Sequence, residues 1–343
     1  MRPRIRLTNT LLELTLRCNM HCIHCGSAAG TQRGDELTLE EWKTACNSLA
    51  DLHCKTVTLM GGEPLVYKNW LTIAEHVRNL DMNFTLMSNG YLIDEHVIEQ
   101  LRRLEPYGVA ISIDGGSAQT HDAIRGIPGS FDRCLHTLQL LRDANLPTTV
   151  VTTVHKQNFH DFPLLRDRLV DTGVAWQLQL GTPFGRFPAQ LALSPEEFYA
   201  VGIYIASTRK QFSTKRLPVT GAHCMGYYSK HLPNLMLSPW TGCLAGLNVL
   251  GIQSNGGVKG CLSLTDEFIE GNIRTQTLES IWSNPQKFPY TRGFSTHDLT
   301  GECQVCRHGN RCRGGCASAS VSFTGKPHGD TYCLHLIENS MNI

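Results

Sequence analysis

Residues 18–25 read Cys18-Asn19-Met20-His21-Cys22-Ile23-His24-Cys25, which gives the spacing CxxxCxxC. Three thiolates on one short loop can bind three irons of a four-iron cluster and leave the fourth iron without a protein ligand. An open coordination position is what a catalytic metal centre needs. The alternative is a zinc site completed by His21 or His24, and the surrounding sequence has to decide between the two.

The sequence around this motif alternates short apolar runs with helical segments. Thr38 followed by Glu41 is a capping box that opens a helix through about Leu52. Strand-then-helix alternation of this kind predicts a parallel sheet with right-handed crossovers. The predicted strands are 11–16, 56–60, 84–87, 109–113, 148–154 and 174–180, and the predicted helices are 38–52, 70–80, 94–104, 130–144, 162–171 and 195–209.

Unusual residues follow the ends of the first four predicted strands. The cysteine triplet comes after the first strand, Gly61-Gly62-Glu63-Pro64 after the second, Ser88-Asn89-Gly90 after the third and Asp114-Gly115 after the fourth. Functional residues of parallel α/β folds lie just beyond the carboxyl ends of the strands. These four segments are therefore expected to form one site. A cysteine loop that shares a site with three other strand ends argues against the zinc alternative.

With these features, residues 11–180 resemble the radical S-adenosylmethionine (SAM) superfamily. The resemblance implies an α/β fold, a partial (β/α)6 barrel whose open cluster iron binds the amino and carboxylate groups of SAM. Reductive cleavage of SAM then gives a 5′-deoxyadenosyl radical. Gly61, Gly62, Glu63 and Pro64 match the family's GGEP motif, whose backbone and carboxylate receive the SAM ammonium, and glycine allows such close backbone approach.

The same resemblance implies further SAM contacts. For each of these positions the alternative is a loop residue that only makes local hydrogen bonds. Arg125 resembles an arginine that pairs with the SAM carboxylate, a contact that suits a guanidinium fork. His24 stands where the family has an aromatic residue near adenine, and we expect a stacked imidazole there. The remaining positions that resemble contacts to the SAM ribose or carboxylate are Ser88, Asn89, Ser112 and Asp114.

A second group of cysteines lies near the end of the chain. Cys243 and Cys261 bracket Gly256 in the pattern C-x12-G-x4-C. The tight run Cys303-x2-Cys306-x5-Cys312-x3-Cys316 follows, and Cys333 comes after a further gap. A pair of zinc knuckles is the alternative, because a lone C-x2-C is compatible with zinc or with iron–sulfur ligation.

Taken together, these seven cysteines resemble the SPASM domain, and the resemblance covers about residues 240–335. It implies two auxiliary [4Fe–4S] clusters, so that three [4Fe–4S] clusters and SAM are the expected cofactors. The family's crossover pattern assigns one set of ligands to each auxiliary cluster. Cluster I takes Cys243, Cys261 and Cys316, and cluster II takes Cys303, Cys306, Cys312 and Cys333.

Two departures from the family pattern bear on function. Members with a fully ligated cluster I have another cysteine shortly before the one matching Cys243, and here 237–240 fill that stretch without one. Either cluster I has an open iron or Cys224 completes it. Sulfatase-maturing members carry an Asp base after the cysteine matching Cys261, whereas this chain has Leu262, which argues against that activity.

Cys224 has a second predicted role. Its segment, 221–226, reads as a flexible stretch between domains, where an exposed thiol could donate a hydrogen atom to a substrate radical. That role favours an epimerase. We prefer it to the ligand role, and buried packing is the third interpretation.

Composition limits the remaining classes. A net charge of +1 without a run of Lys and Arg gives no basic face for nucleic acid. No apolar stretch reaches membrane-spanning length, and the basic N-terminus lacks the apolar core of a signal peptide. We therefore expect a cytoplasmic protein, in which 14 cysteines indicate metal ligation rather than disulfides. The predicted domains are residues 1–181 for the barrel, 182–239 for a bridging segment and 240–343 for the SPASM domain.

Three functions are compatible with this sequence. The first is maturation of a ribosomally synthesised peptide by epimerisation or crosslinking. The second is epimerisation or dehydrogenation of a small molecule such as an aminocyclitol or sugar. A non-catalytic metal-binding module is the third, and the SAM-site residues disfavour it. Expected partners are the substrate, a one-electron reductant such as flavodoxin or ferredoxin, and a separate leader-peptide-binding protein, because the first strand begins by residue 11 and leaves no room for a recognition domain.

Overall fold

The computed structural model describes residues 5–343, so the most basic part of the N-terminus, residues 1–4, lies outside them. Within the described residues, ten strands form a single sheet. The strands are β1 (Asn9–Glu13), β2 (Thr56–Met60), β3 (Asn83–Ser88), β4 (Gly108–Ser112), β5 (Thr148–Val154), β6 (Ala175–Leu180), β7 (Val219–Gly221), β8 (Val249–Ile252), β9 (Gly257–Lys259) and β10 (Gly271–Asn272).

Seven helices accompany the first seven strands, and five further helices follow in the cysteine-rich segment. The first group is α1 (Leu39–Asp51), α2 (Trp70–Asn79), α3 (Glu95–Leu104), α4 (Ala118–Arg125), α5 (Ser130–Asp143), α6 (Phe162–Leu169) and α7 (Pro195–Gln211). The second group is α8 (Leu278–Ser283), α9 (Pro289–Arg292), α10 (Gly309–Cys312), α11 (Ala317–Thr324) and α12 (Leu334–Met341). No helix in residues 5–343 is both long enough and apolar enough to cross a membrane.

The strand order is β10-β9-β8-β1-β2-β3-β4-β5-β6-β7. Strands β1 to β7 are parallel neighbours in chain order, which confirms the predicted α/β barrel sheet. The capping box before α1 is also confirmed, because the backbone N–H of Thr38 donates to Glu41 at 2.8 Å and that of Glu41 donates back to Thr38 at 3.3 Å. The core beneath the helices holds fully buried aromatic side chains: Trp42, Phe84, Phe162, Trp176 and Phe198.

The sheet extends further than the sequence pattern predicts. Strand β7 pairs with β6, and β8 runs parallel to β1 on the other side. The cysteine-rich segment therefore begins as part of the barrel sheet and not as a separate body. Helix α4 was missed as well, although Ser117 caps its start and Gly126, with φ of 72°, ends it. The predicted domain bounds remain predictions, and the sheet crosses two of them.

Gly61 and Gly62 allow the loop after β2 to pack closely against the segment after β1. Beyond β2 the backbone passes against the segment after β1, where the N–H of Gly62 donates to Thr15 O at 2.8 Å and that of Glu63 to Arg17 O at 2.9 Å. A Cβ atom at Gly62 would collide with the carbonyl oxygen of Arg17. This contact holds the cysteine loop against the loop that follows β2.

We expect Gly62→Ala to lower the free energy of unfolding by about 1–3 kcal/mol, since the added methyl can be accommodated only by shifting backbone. Thermal or urea denaturation of the anaerobically purified protein measures the effect. Gly34→Ala is the matched control, because Gly34 is exposed and its Cβ would meet nothing within 4 Å. Equal stability of the two variants would show that the glycine contact is not a packing constraint.

Candidate functional site

The cysteine triplet lies on the loop after β1 and lines an interior cavity. Cys18, Cys22 and Cys25 all face this cavity. Backbone N–H groups point at two of the sulfurs: Met20 N donates to Cys18 Sγ at 3.4 Å and Ala29 N to Cys25 Sγ at 3.4 Å. The loop is held to α4 by a bond from Ile23 N to Ile124 O at 3.0 Å.

The thiols of this loop suit a metal cluster as their partner. Burial raises the pKa of Cys18 to about 11 and also raises that of Cys22, so the thiolate forms need a cation. Cluster iron would replace those protons, and the N–H groups of Met20 and Ala29 would stabilise the ligated thiolates. No three His, Cys, Asp or Glu side chains in residues 5–343 converge closely enough to hold a single metal ion. The thiols of Cys18, Cys22 and Cys25 instead line a shared cavity.

Most of the predicted SAM contacts lie in the wall of the same cavity. The lining residues among them are Gly61, Gly62, Ser88, Asn89, Ser112 and Arg125. Asn89 also braces the cysteine loop, because its Nδ2 donates to Asn19 Oδ1 at 2.7 Å. The structure therefore brings together the loops after β1, β2, β3 and β4, while the SAM contacts of the individual residues remain predictions.

Glu63 of the GGEP motif is fully buried behind this wall. Its carboxylate accepts hydrogen bonds from Leu65 N at 3.2 Å, Ser88 Oγ at 2.9 Å and Asn89 N at 2.8 Å. Burial raises the pKa of Glu63 to about 7 despite these donors. The carboxylate ties the loops after β2 and β3 together, and Pro64 begins a short 3-10 turn beside it. Its predicted contact with the SAM ammonium remains a prediction.

Asp114 and Arg125 form a buried ion pair. Asp114 Oδ2 lies 2.6 Å from Arg125 Nη2 and 3.2 Å from His24 Nε2. Burial alone would raise the pKa of Asp114, but Arg125 and His24 outweigh it and hold that pKa well below its usual range. Arg125 Nη1 also lies 3.8 Å from Cys22 Sγ. The guanidinium therefore already has a carboxylate partner within the protein.

His24 lies with Nε2 3.2 Å from Asp114, and its ring centroid lies 5.5 Å from that of His155 at a tilt of 37°. Its expected stacking near adenine remains a prediction. His24 Nδ1 and Arg125 Nε are buried without a hydrogen-bond partner among residues 5–343, and both side chains border the cavity. Orphaned polar atoms at a cavity wall fit a polar ligand such as SAM.

The exposed setting predicted for Cys224 is wrong. The thiol is buried, and Leu180 N donates to its Sγ at 3.3 Å. The reason is β7, which the sequence pattern did not reveal and which carries Cys224 to the end of β6. Cys224 nevertheless lines the cavity, and burial raises its pKa to about 12.

The four cysteines predicted for auxiliary cluster II surround one enclosed cavity. They are Cys303, Cys306, Cys312 and Cys333. Burial raises the pKa of three of them, to about 11 for Cys303, to about 12 for Cys333, and well above its usual value for Cys312. Such a set of desolvated thiols around a shared space is the donor arrangement of a four-iron cluster.

The predicted ligands of auxiliary cluster I also come together. Burial, and after it the charge of the nearby Cys316, raises the pKa of both Cys243 and Cys261. Leu237, in the stretch where relatives would place another cysteine, has a side chain that is 88% exposed. That stretch supplies no fourth ligand.

Sequence reasoning missed His223. Its side chain lines the cavity that the predicted radical-cluster cysteines also line. The same cavity is lined by Ser263 and Ser318, each two residues beyond a predicted cluster I ligand. No sequence signal was available for it, because β7, the strand just before it, has only three residues.

The parallel α/β sheet, the CxxxCxxC loop after β1 and the second group of cysteines are the features of an iron–sulfur enzyme. Residues 12–169 match the family model for the radical SAM superfamily, and residues 243–308 match the SPASM iron–sulfur cluster-binding domain. The chain belongs to the radical SAM superfamily and carries a SPASM domain, as the sequence predicted. These domains imply SAM and [4Fe–4S] clusters as cofactors.

Two groups of curated relatives match nearly the whole chain. The AdoMet-dependent heme synthase of Methanosarcina barkeri is 29% identical over 340 residues, which are 94% of this chain and 95% of the relative. The mycofactocin maturase MftC of Mycobacterium tuberculosis is 30% identical over 331 residues, which are 92% of this chain and 79% of the relative.

Among solved structures, Streptococcus suis SuiB shares the fold. The TM-score is 0.79 at 16% sequence identity, with 96% of this chain and 77% of SuiB covered. SuiB bound to its precursor peptide SuiA matches with a TM-score of 0.78 over 96% of this chain and 76% of that one. At this identity the likeness concerns the fold alone.

We expect Asp114→Asn to destabilise the protein by about 3–5 kcal/mol, because it leaves the buried guanidinium of Arg125 without its counter-charge. Arg125→Met should cost a similar amount, and the double variant should cost less than the sum of the two. Denaturation of the three variants, with iron content measured in each, gives the coupling energy.

Asp171→Asn is the control, since Asp171 pairs with Arg216 at 2.6 Å on the exposed surface and should matter little. Additive effects of Asp114→Asn and Arg125→Met would contradict the buried pair.

Proposed function

We propose that the protein cleaves SAM to a 5′-deoxyadenosyl radical that abstracts a carbon-bound hydrogen from a substrate held in the interior cavity. Cys18, Cys22 and Cys25 would hold a four-iron cluster, and such a cluster would supply the electron for that cleavage. The observation that carries the proposal is the cavity itself. The triplet and the loop glycines form one wall, and Ser263 and Ser318 beside the auxiliary cysteines form another.

Each group of side chains has a proposed task. Gly61 and Gly62 let SAM approach the backbone, and Ser88, Asn89 and Ser112 offer polar atoms to it. Glu63 holds the loops in place from behind. Asp114 orients Arg125 beside Cys22.

Two further clusters are proposed, which makes three [4Fe–4S] clusters in all. Cys243, Cys261 and Cys316 would ligate cluster I, and the four cysteines around the enclosed cavity would ligate cluster II. An electron that leaves the substrate radical would have these clusters as acceptors.

For the substrate, we propose a ribosomally synthesised peptide that is epimerised or crosslinked. The name of one relative, mycofactocin maturase, supports modification of a peptide-derived product. The cavity wall supports a neutral substrate, because its polar groups include Thr153, Gln179 and Thr182. Its two arginines are already engaged, Arg125 by Asp114 and Arg186 by the carbonyl oxygens of Cys22 and Ala29.

Cys224 would act as the hydrogen-atom donor in an epimerisation. Its raised pKa keeps the thiol protonated, which this role requires, and the thiol borders the cavity. The bond from Leu180 N fixes its position without using the thiol hydrogen.

A small-molecule substrate is the second candidate. The whole-length match to heme synthases favours it, since this chain spans 95% of the Methanosarcina barkeri relative. That name points to a tetrapyrrole rather than to an aminocyclitol or sugar.

We also propose a cytoplasmic location and an external one-electron reductant such as flavodoxin or ferredoxin. A peptide substrate would be presented by a separate leader-peptide-binding protein. We propose no role for nucleic acid or membrane.

Deuterium transfer into 5′-deoxyadenosine tests the proposal. Reduced, reconstituted enzyme is incubated with SAM and one of two substrates: a deuterated short peptide encoded beside the gene, or a deuterated iron coproporphyrin. We expect 5′-deoxyadenosine to carry deuterium with the peptide. Transfer from the porphyrin alone would establish the second candidate, and SAM cleavage without transfer from either would contradict both substrate classes.

Two variants accompany this assay. The triple variant Cys18→Ala, Cys22→Ala, Cys25→Ala should form no 5′-deoxyadenosine. Cys224→Ala in heavy water should still cleave SAM but should lose the solvent deuterium that the wild type places in an epimerised product. Unchanged incorporation would remove Cys224 from the reaction.

A further inference from the structure

The segment that follows β6 packs against the cysteine loop. Residues 181–187, here called the β6 turn, fold back on themselves, and Phe184 N donates to Thr182 O at 2.7 Å. Gly185 has a φ of 64°, and a Cβ atom there would lie 2.1 Å from the carbonyl oxygen of Gly26. Glycine is the residue that allows so close an approach in this conformation. The β6 turn is therefore in direct backbone contact with the cysteine loop.

Arg186, the next residue of the β6 turn, donates to three carbonyl oxygens of the cysteine loop. Its backbone N–H donates to Cys25 O at 2.9 Å, and its Nε donates to Cys22 O at 3.2 Å. Its Nη1 donates to the carbonyl oxygen of Ala29. Cys22 and Cys25 are predicted cluster ligands, and the N–H of Ala29 donates to Cys25 Sγ at 3.4 Å. One arginine thus holds the backbone at two ligand residues and at a residue whose N–H faces a ligand sulfur.

The chemistry of a guanidinium suits this place. Its N–H donors lie in a rigid fork, so that one side chain holds two carbonyl oxygens at a set separation. Within residues 5–343, Arg186 forms no ion pair with a carboxylate, in contrast to Arg125. Its positive charge is left for another anion, and three thiolates are expected on the loop that it holds.

The β6 turn also forms part of the cavity wall. Its lining residues are Thr182, Phe184, Arg186 and Phe187. Phe187 is buried, and its ring meets that of His155 edge-on at a centroid distance of 6.0 Å. The turn is therefore anchored to the core by Phe187 and to the cysteine loop by Arg186. A substrate in the cavity would contact the same turn that holds the predicted ligands.

We propose that Arg186 is a positioning residue for the radical cluster, holding the backbone of the cysteine loop in the arrangement that cluster binding requires and joining that loop to the wall of the substrate cavity. The inference rests on the cluster that the proposed function assigns to Cys18, Cys22 and Cys25. Groups that orient metal ligands from outside typically change metal affinity by about 10–100-fold when they are lost. Without the guanidinium, the carbonyl oxygens of Cys22 and Ala29 lose their donor and the loop is free to rearrange.

Iron release to a chelator from the reconstituted protein tests the proposal. We expect Arg186→Ala to lose the irons of one four-iron cluster about tenfold faster than the wild type, while the other irons leave at the wild-type rate. Arg186→Lys keeps the charge but has a single nitrogen to donate, so it should show an intermediate rate. Arg209→Ala is the matched control, because Arg209 also donates to three carbonyl oxygens, those of Val219, Asn234 and Leu235, outside the cavity lining.

Electron paramagnetic resonance of the reduced protein adds a readout that a general loss of stability would not change. The spectral change on adding SAM reports the cluster with the open iron, and we expect it to weaken in Arg186→Ala and to be partly restored in Arg186→Lys. Equal iron-release rates in Arg186→Ala and Arg209→Ala, or a wild-type response to SAM in Arg186→Ala, would overturn the proposal. Equal iron content in the wild type and in the triple variant without Cys18, Cys22 and Cys25 would instead overturn the proposed function on which it rests.

Discussion

The site depends on the buried carboxylate of Glu63. The backbone N–H of Glu63 donates a hydrogen bond to the segment after β1, and its carboxylate accepts hydrogen bonds from Ser88 and Asn89 after β3. Burying a carboxylate away from water costs free energy unless its oxygens accept hydrogen bonds from the protein. These donors must therefore stay in place once the fold has formed. The loops after three neighbouring strands are thereby held in one arrangement, and Asn89 passes that constraint on to the cysteine loop through Asn19.

The second half of the chain completes the site by extending the same sheet. Strand β8 lies beside β1, so the first cysteine loop and the auxiliary cysteines are positioned from adjacent strands. Arg274 strengthens this junction, because its guanidinium bonds Glu41 at the start of α1 as well as the carbonyl oxygens of Asp35 and Glu36. The interior cavity is therefore lined by both halves, with His223 and Ser318 bordering it together with Cys18, Cys22 and Cys25.

Sequence alone predicted those features that local pattern encodes. Hydrophobic periodicity and helix capping predicted the six barrel strands, with ends shifted by at most three residues, and cysteine spacing indicated the two groups of predicted ligands. Strands of two to four residues, such as β7 and β10, carry too little pattern to be recognised. The pairing of Asp114 with Arg125, the burial of Cys224 and the place of His223 in the cavity wall depend on chain segments that meet only after folding. No local spacing indicates which partner each of these residues will find.

Iron and acid-labile sulfide in the anaerobically purified protein, with Mössbauer spectra, test the central claim most directly. The account predicts a brown protein with about twelve irons and about twelve sulfides per chain, all in four-iron clusters. A colourless protein with stoichiometric zinc would contradict it.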